Sequence, residues 1–158
     1  MINWDNFKGD RNPGPRDRLL TLQKCLVRIV CGSPRISHAD PLFAKLTSLK
    51  IDDLYEQSVR IFSYKLSRGM LPCAMANLIC KADHGHLTRG ARSNFFVGRS
   101  DDRSIKSIAP KYWNPLPQEL KALPSIASFK ERSKLDLLAP YEAFVCSVRG
   151  CGSCGFPG

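Results

Sequence analysis

Apolar residues recur every three or four positions in four stretches of the chain, which is the spacing of one face of an α-helix. These stretches predict helices at about residues 16–31, 40–49, 51–68 and 125–138. Glycine and proline follow the first and third stretches, where they are typical of helix ends. Asp40-Pro41 is typical of a helix start, because aspartate favours the cap and proline needs no backbone donor there.

The residues on the apolar face of each helix are expected to be buried, because an amphipathic helix normally packs its apolar stripe against the core. In the last helix Phe129, Leu135 and Leu138 are expected to face inward. The apolar stripe of the first helix consists of Leu19, Leu22, Leu26 and Ile29. The stripe of the third helix consists of Tyr55, Val59, Phe62 and Leu66.

Between the third and last helices the pattern is weaker. Residues 95–97 and 104–108 are expected to form short strands or extended segments, with turn-forming residues 98–102 between them. Four prolines then predict an irregular stretch. Trp113 and Leu116 in that stretch are expected to pack against the helices rather than to carry chemistry.

These elements predict a mainly α fold, a small helical module with a minor extended or β-hairpin segment and an irregular proline-rich stretch. The length of 158 residues favours one domain. We expect a flexible entry segment at 1–14, the helical module at 15–138 and a tail rich in glycine and cysteine at 139–158.

Charge narrows the range of partners. The chain has 24 Lys and Arg against 14 Asp and Glu, a net charge of +10, which favours phosphate backbones or anionic lipid surfaces, although a merely basic domain fits as well. No apolar stretch approaches the roughly 20 residues of a transmembrane helix, and the polar start does not resemble a signal peptide. These features predict an intracellular protein, nuclear or cytoplasmic and not secreted, with no membrane partner.

The basic residues are the candidate nucleic-acid-binding groups. One set lies near the end of the first helix, and the other lies in the central segment beside Phe95, Phe96, Tyr112 and Trp113. Exposed aromatic rings can stack on bases, but aromatic residues are more often part of a core. The predicted phosphate-binding residues are Lys24, Arg28, Arg89, Arg92, Arg99 and Arg103.

The seven cysteines are an odd number without an export signal, which favours reduced thiols or a metal over disulfides. Cys146, Cys151 and Cys154 include a C-x-x-C pair with the spacing of zinc ligands. A fourth ligand would have to come from His84, His86, Cys73, Cys80 or a second chain. The alternative is a tail with free thiols, so no cofactor is expected apart from this candidate zinc ion.

Candidate catalytic patterns have simpler explanations. The G-x-G-x-x-G match at 150–155 lacks the following helix that a dinucleotide site needs. Asp101-Asp102 lies between Arg99 and Arg103 and is typical of a turn, while Asp52-Asp53 suits a helix N-terminus. We therefore expect no catalytic residues, no independent enzyme activity and no small-molecule substrate.

The order of several motifs resembles the C-terminal region of non-LTR, LINE-type retrotransposon reverse transcriptases of the Jockey and RTE kinds. The resemblance covers roughly residues 4–154 and depends on the order and spacing of motifs that are individually weak. The motifs are Leu22-Gln23-Lys24, residues 28–32, residues 38–43, residues 49–55, residues 86–89, the Trp-Asn-Pro-Leu-Pro block at 113–117, and Ser128-Phe129-Lys130.

The resemblance implies a non-catalytic C-terminal fragment of an RNA-directed DNA polymerase, with thumb-like helices that contact RNA or an RNA/DNA hybrid. The aspartate active site and the endonuclease of that family have no match here, so the polymerase core belongs to the parent protein. The alternative is a structural or protein-interaction remnant of a degraded transposable element, with exposed apolar surface and no independent activity.

Overall fold

The computed structural model describes residues 14–76, 79, 94–95 and 104–143. Within these ranges the fold is mainly α, which confirms the predicted fold class. The helices are α1 (Pro15–Val30), α2 (Asp40–Lys45), α3 (Ile51–Ser67), α4 (Cys73–Ala76), α5 (Ile105–Trp113), α6 (Gln118–Lys121) and α7 (Ile126–Glu142).

The first three helices end in the same hydrogen-bonded cap, in which a residue with positive φ reverses the chain. Gly32 and Gly69 take this position after α1 and α3, with φ of 60° and 67°. Thr47 takes it after α2 with φ of 50°, which is unusual for a β-branched residue. The next amide in each case bonds back to a helical carbonyl: Ser33 to Arg28, Met70 to Lys65, and Ser48 to Phe43, each at 2.9 Å.

The prediction of an extended segment at 104–108 is wrong, because α5 begins at Ile105. Ser104 caps this helix by accepting a hydrogen bond from the Lys106 amide at 3.3 Å. Ala109 and Trp113, four positions apart, are buried on one face of α5, which is helical spacing. Pro110 concealed this pattern, although it lies buried inside the helix.

The proline-rich stretch is also more regular than predicted. Its prolines lie within α5 and in the short connections around α6, rather than in one continuous irregular segment. Trp113 and Leu116 are buried, which confirms that both residues pack.

The chain divides into two compact units. The central unit is Tyr55–Lys134, and the terminal unit combines Met1–Leu54 with Leu135–Gly158. Residues 15–138 were predicted as one module, and that prediction did not include this division.

The core of the central unit is aromatic. The rings of Tyr64 and Phe129 stack with centroids 4.5 Å apart, Phe95 stacks on Trp113 at 5.6 Å, and Trp113 lies 6.1 Å from Phe129. Its buried members are Val59, Tyr64, Leu66, Ile79, Phe95, Ala109, Trp113, Leu116, Leu120 and Phe129.

The terminal unit has a smaller core around Phe43, whose ring meets Tyr141 edge to face at 6.2 Å. Its buried members are Val27, Ala39, Phe43, Leu49, Leu137, Leu138 and Tyr141. From α1 only Val27 is fully buried.

Several residues of the predicted apolar stripes are exposed instead. The whole α1 stripe faces solvent, and Tyr55 and Leu135 are also exposed. In α1 the buried side is centred on Val27, roughly a third of a turn from the stripe. The prediction failed because α1 has two apolar faces and the longer one is not the face that its own unit covers. The exposed stripe consists of Leu19, Leu22, Leu26 and Ile29.

Candidate nucleic-acid interface

Two of the predicted nucleic-acid-binding residues lie in the described part of the chain. Lys24 and Arg28 are half-buried and one turn apart on α1. The Arg28 Nε donates a hydrogen bond of 2.8 Å to the carbonyl of Ser37. Part of the Arg28 guanidinium therefore holds the chain that follows α1.

The other predicted site residues lie outside the described residues: Arg89, Arg92, Arg99, Arg103, Cys146, Cys151 and Cys154. Within the described ranges, no group of three or more His, Cys, Asp or Glu side chains is placed to hold a metal ion. Cys25, Cys31 and Cys73 are free thiols.

Basic side chains outnumber carboxylates in the described part of the central unit. The carboxylates there are Glu56, Glu119 and Glu131, and Glu56 forms an ion pair with Arg60. The basic side chains that are exposed or half-buried are Lys65, Arg68, Lys106, Lys111, Lys130, Arg132 and Lys134. This imbalance gives the described part of the central unit an excess of positive charge, and such an excess attracts polyanions.

One exposed lysine in this unit lies beside an aromatic ring that is half-buried at the edge of the core. The exposed Tyr55 on α3 meets the half-buried Tyr112 on α5 edge to face, with centroids 6.4 Å apart. The exposed Lys111 ammonium lies 5.7 Å from the centroid of the Tyr112 ring. We call Tyr55, Lys111 and Tyr112 the tyrosine–lysine cluster. It combines a positive charge with aromatic side chains, two features that are common in single-strand nucleic-acid sites.

From the sequence, Tyr112 is a candidate for base stacking, whereas Tyr55 and Lys111 were not predicted as site residues. Tyr55 was assigned to the apolar stripe of its helix, and only its exposure shows that it lies at the surface. Phe95 and Trp113, the other aromatic residues of that segment in the described ranges, are buried and cannot stack on a base without unfolding the core.

The glutamine of the Leu22-Gln23-Lys24 motif has a structural role. The Gln23 side-chain amide donates to the carbonyl of Leu49 and accepts from the amide of Ile51, both at 3.0 Å. It thereby satisfies backbone groups just before and at the start of α3, which have no partners within that helix. The motif holds α1 to the connection between α2 and α3.

The asparagine of the Trp-Asn-Pro-Leu-Pro block makes the same kind of bridge. The Asn114 side chain accepts from the amide of Phe95 at 2.9 Å and donates to its carbonyl at 3.0 Å. The buried Lys121 ammonium donates to Asn94 Oδ1 at 2.9 Å and to the Asn114 carbonyl at 3.0 Å. Burial lowers the pKa of Lys121, because its oxygen partners are neutral and the charged form is desolvated.

The paired aspartates at the start of α3 are both engaged in the terminal unit. Asp52 forms an ion pair with Arg16, and Asp53 accepts a hydrogen bond from the Tyr141 hydroxyl. Burial and this bond to a carboxylate raise the pKa of Tyr141, because both disfavour the phenolate. These contacts and the position of both residues in the first turn of α3 give Asp52 and Asp53 structural roles.

No family model, curated protein or solved structure matches this chain with statistical significance. None of the helices in the described ranges is both long and apolar enough to cross a lipid bilayer.

Proposed function

We propose that this chain is a non-catalytic nucleic-acid-binding module whose central unit contacts the phosphate backbone of RNA or an RNA/DNA hybrid. The observation that carries the proposal is the excess of accessible basic side chains over carboxylates in the described part of the central unit, with Lys111 beside Tyr112, whose ring meets that of Tyr55. Phosphate contacts position a protein on nucleic acid and carry little sequence information, so binding should depend weakly on sequence.

The resemblance to the C-terminal region of LINE-type reverse transcriptases supports the choice of RNA or a hybrid over other polyanions. Under this proposal, the motifs that resemble that family contribute mainly to folding, as Gln23 and Asn114 do in this structure. The nucleic-acid contacts come from surface charges around them. Polymerase chemistry would belong to a parent protein and not to residues of this chain.

The test is equilibrium binding to a labelled RNA hairpin, an RNA/DNA hybrid and duplex DNA across a salt series. We expect saturable binding whose affinity falls steeply with salt, because each neutralised phosphate releases counterions. Binding that barely changes between low and moderate salt, or no binding by a folded chain, would reject the proposal.

A pair of charge reversals locates the interface. Lys111→Glu should weaken binding several-fold and reduce the salt dependence, because it removes a phosphate contact in the tyrosine–lysine cluster. The matched control is Lys45→Glu, since Lys45 is an exposed lysine on α2 in the terminal unit. Equal effects of the two changes would assign binding to net charge alone and would contradict an interface at the cluster.

The alternative function, a protein-interaction remnant, is favoured by one observation, the exposed α1 stripe. Self-association by a folded chain without nucleic-acid affinity would support that alternative.

A further inference from the structure

The α1 stripe is the largest group of exposed apolar side chains on one described helix. Leu19, Leu22, Leu26 and Ile29 are 43%, 66%, 59% and 76% exposed, and the adjacent Val30 is 61% exposed. The stripe from residue 19 to residue 30 is about 17 Å long. Solitary exposed leucines are ordinary in folded proteins, but a continuous apolar strip of this length is typical of an interaction surface.

The other side of α1 already serves the terminal unit. Val27 is buried in its core, Gln23 bridges to Leu49 and Ile51, and Arg16 pairs with Asp52. The stripe is therefore a second apolar face of a helix whose first face is occupied. Rotating α1 to bury the stripe would break these contacts.

The spacing of the stripe fits a helix partner. Leu19, Leu22, Leu26 and Ile29 follow one another at intervals of three, four and three residues, which is the spacing of a coiled-coil seam. This order of intervals is the same whether the helix is followed from its N-terminus or from its C-terminus. The midpoint between Leu19 and Ile29 is residue 24, and so is the midpoint between Leu22 and Leu26.

We infer that α1 pairs antiparallel with α1 of a second copy of this chain about a two-fold axis near Lys24. Leu19 of each copy then lies level with Ile29 of the other, and Leu22 lies level with Leu26. A two-fold interface needs one surface that is complementary to itself, and this stripe meets that requirement without any further segment.

The charges of α1 favour this direction. A parallel pair would place each Arg18 level with the other Arg18 and would align the two helix dipoles. In the antiparallel pair Arg18 lies level with Val30, Arg28 lies level with Leu20, and the dipoles oppose each other. Lys24 lies level with the other Lys24 in either direction, but it is on the side of α1 opposite the stripe. No charged residue falls within the stripe itself.

The first experiment measures the mass of the full chain by sedimentation equilibrium over a concentration series, after removal of nucleic acid with nuclease and high salt. We expect a reversible monomer–dimer equilibrium. The double variant Leu22→Glu with Leu26→Glu should be monomeric and should keep its helical circular dichroism, because both side chains are exposed in the folded chain.

Met70→Glu is the matched control, since Met70 is also exposed at 53% but lies in the central unit. This variant should dimerise like the unchanged chain. A chain that stays monomeric at the highest concentration, or a double variant that still dimerises, would overturn the inference. So would a monomer whose stripe binds vesicles of anionic phospholipid, which would assign the face to a lipid surface.

Disulfide mapping tests the direction. In a mixture of Leu19→Cys and Ile29→Cys chains, the antiparallel pair predicts peptides cross-linked between residues 19 and 29 of different copies. Cross-links that join only 19 to 19 or 29 to 29 would show a parallel pair and would contradict the inference. The result is independent of nucleic-acid binding, because these measurements contain no nucleic acid.

Discussion

At the scale of single residues, two buried serines differ in whether their hydroxyl group makes a hydrogen bond. Ser63 on α3 and Ser133 on α7 are both fully buried in the central unit. Ser133 Oγ accepts a hydrogen bond of 3.5 Å from Arg60 Nη1. Ser63 Oγ has no hydrogen-bond partner among the described residues. A buried hydroxyl without a partner loses its hydration and gains nothing in return.

We predict that Ser63→Ala raises the free energy of unfolding by about 1 kcal/mol, because it removes an unsatisfied buried hydroxyl. Ser133→Ala should lower it by a similar amount, because it removes an acceptor for Arg60. Both changes replace serine by alanine within a helix, so helix propensity contributes equally. Urea denaturation measures both variants, and a destabilised Ser63→Ala chain would contradict the contact assignment.

The lowered pKa of Lys121 predicts that the free energy of unfolding depends on pH. Its pKa is lowered from 10.5 by burial, so between the folded pKa and 10.5 the unfolded chain binds more protons than the folded chain. Stability then rises with pH through that window. The stability of the unchanged chain relative to Lys121→Met should therefore increase as pH rises toward 10.5. Urea denaturation of both chains at a series of pH values measures this difference, and a decrease would refute the assignment.

At the scale of elements, side-chain amides join segments that are distant in sequence. Gln23 bridges α1 to the start of α3, and Asn114 bridges the end of α5 to Phe95. Each amide supplies a donor and an acceptor at once, as a paired strand would. These bridges explain why the residue types of the two motifs suit their positions without any catalytic role.

Gln23→Glu tests such a bridge with almost no change in shape. The carboxylate loses the donor to the Leu49 carbonyl and places one oxygen against another, so the free energy of unfolding at neutral pH should fall by about 2 kcal/mol. The control is Gln57→Glu, because Gln57 makes a longer, exposed bond of 3.3 Å to the Lys130 carbonyl. Thermal and urea unfolding should show the control within about 0.5 kcal/mol of the unchanged chain.

Local signals predicted some elements well and missed others. The limits of α1 and α3 follow from proline and acidic residues at the start and from Gly32 and Gly69 at the end. Helix α5 was missed because Pro110 is a helix breaker in isolation, whereas in this short helix it lies buried against the core. Local propensity is a weak signal when burial of several apolar side chains favours the helix.

At the scale of the whole molecule, the large net positive charge is the main electrostatic influence on stability. The chain carries +10, and like charges destabilise a compact state. The ion pairs Arg16–Asp52, Lys50–Asp40 and Arg60–Glu56 are local and few relative to this excess in the described ranges.

We therefore predict that sodium chloride raises the melting temperature between low ionic strength and about 0.5 M, because screening relieves repulsion more than it weakens ion pairs. Lys130→Glu should show a smaller rise, since it lowers the net charge by two on an exposed position. Calorimetry or circular dichroism measures the effect. A melting temperature that falls with added salt would show that attractive pairs dominate the electrostatics.

The sequence by itself determined the helical class, the limits of α1 and α3 and the basic character of the chain, because caps, periodicity and charge are local or additive properties. Only the tertiary structure decided which face of α1 is buried, that Tyr55 meets Tyr112 at the surface, and that Gln23 and Asn114 bridge distant backbone. Those outcomes depend on which segments become neighbours, and a helix with two apolar faces does not reveal which one its own unit will cover.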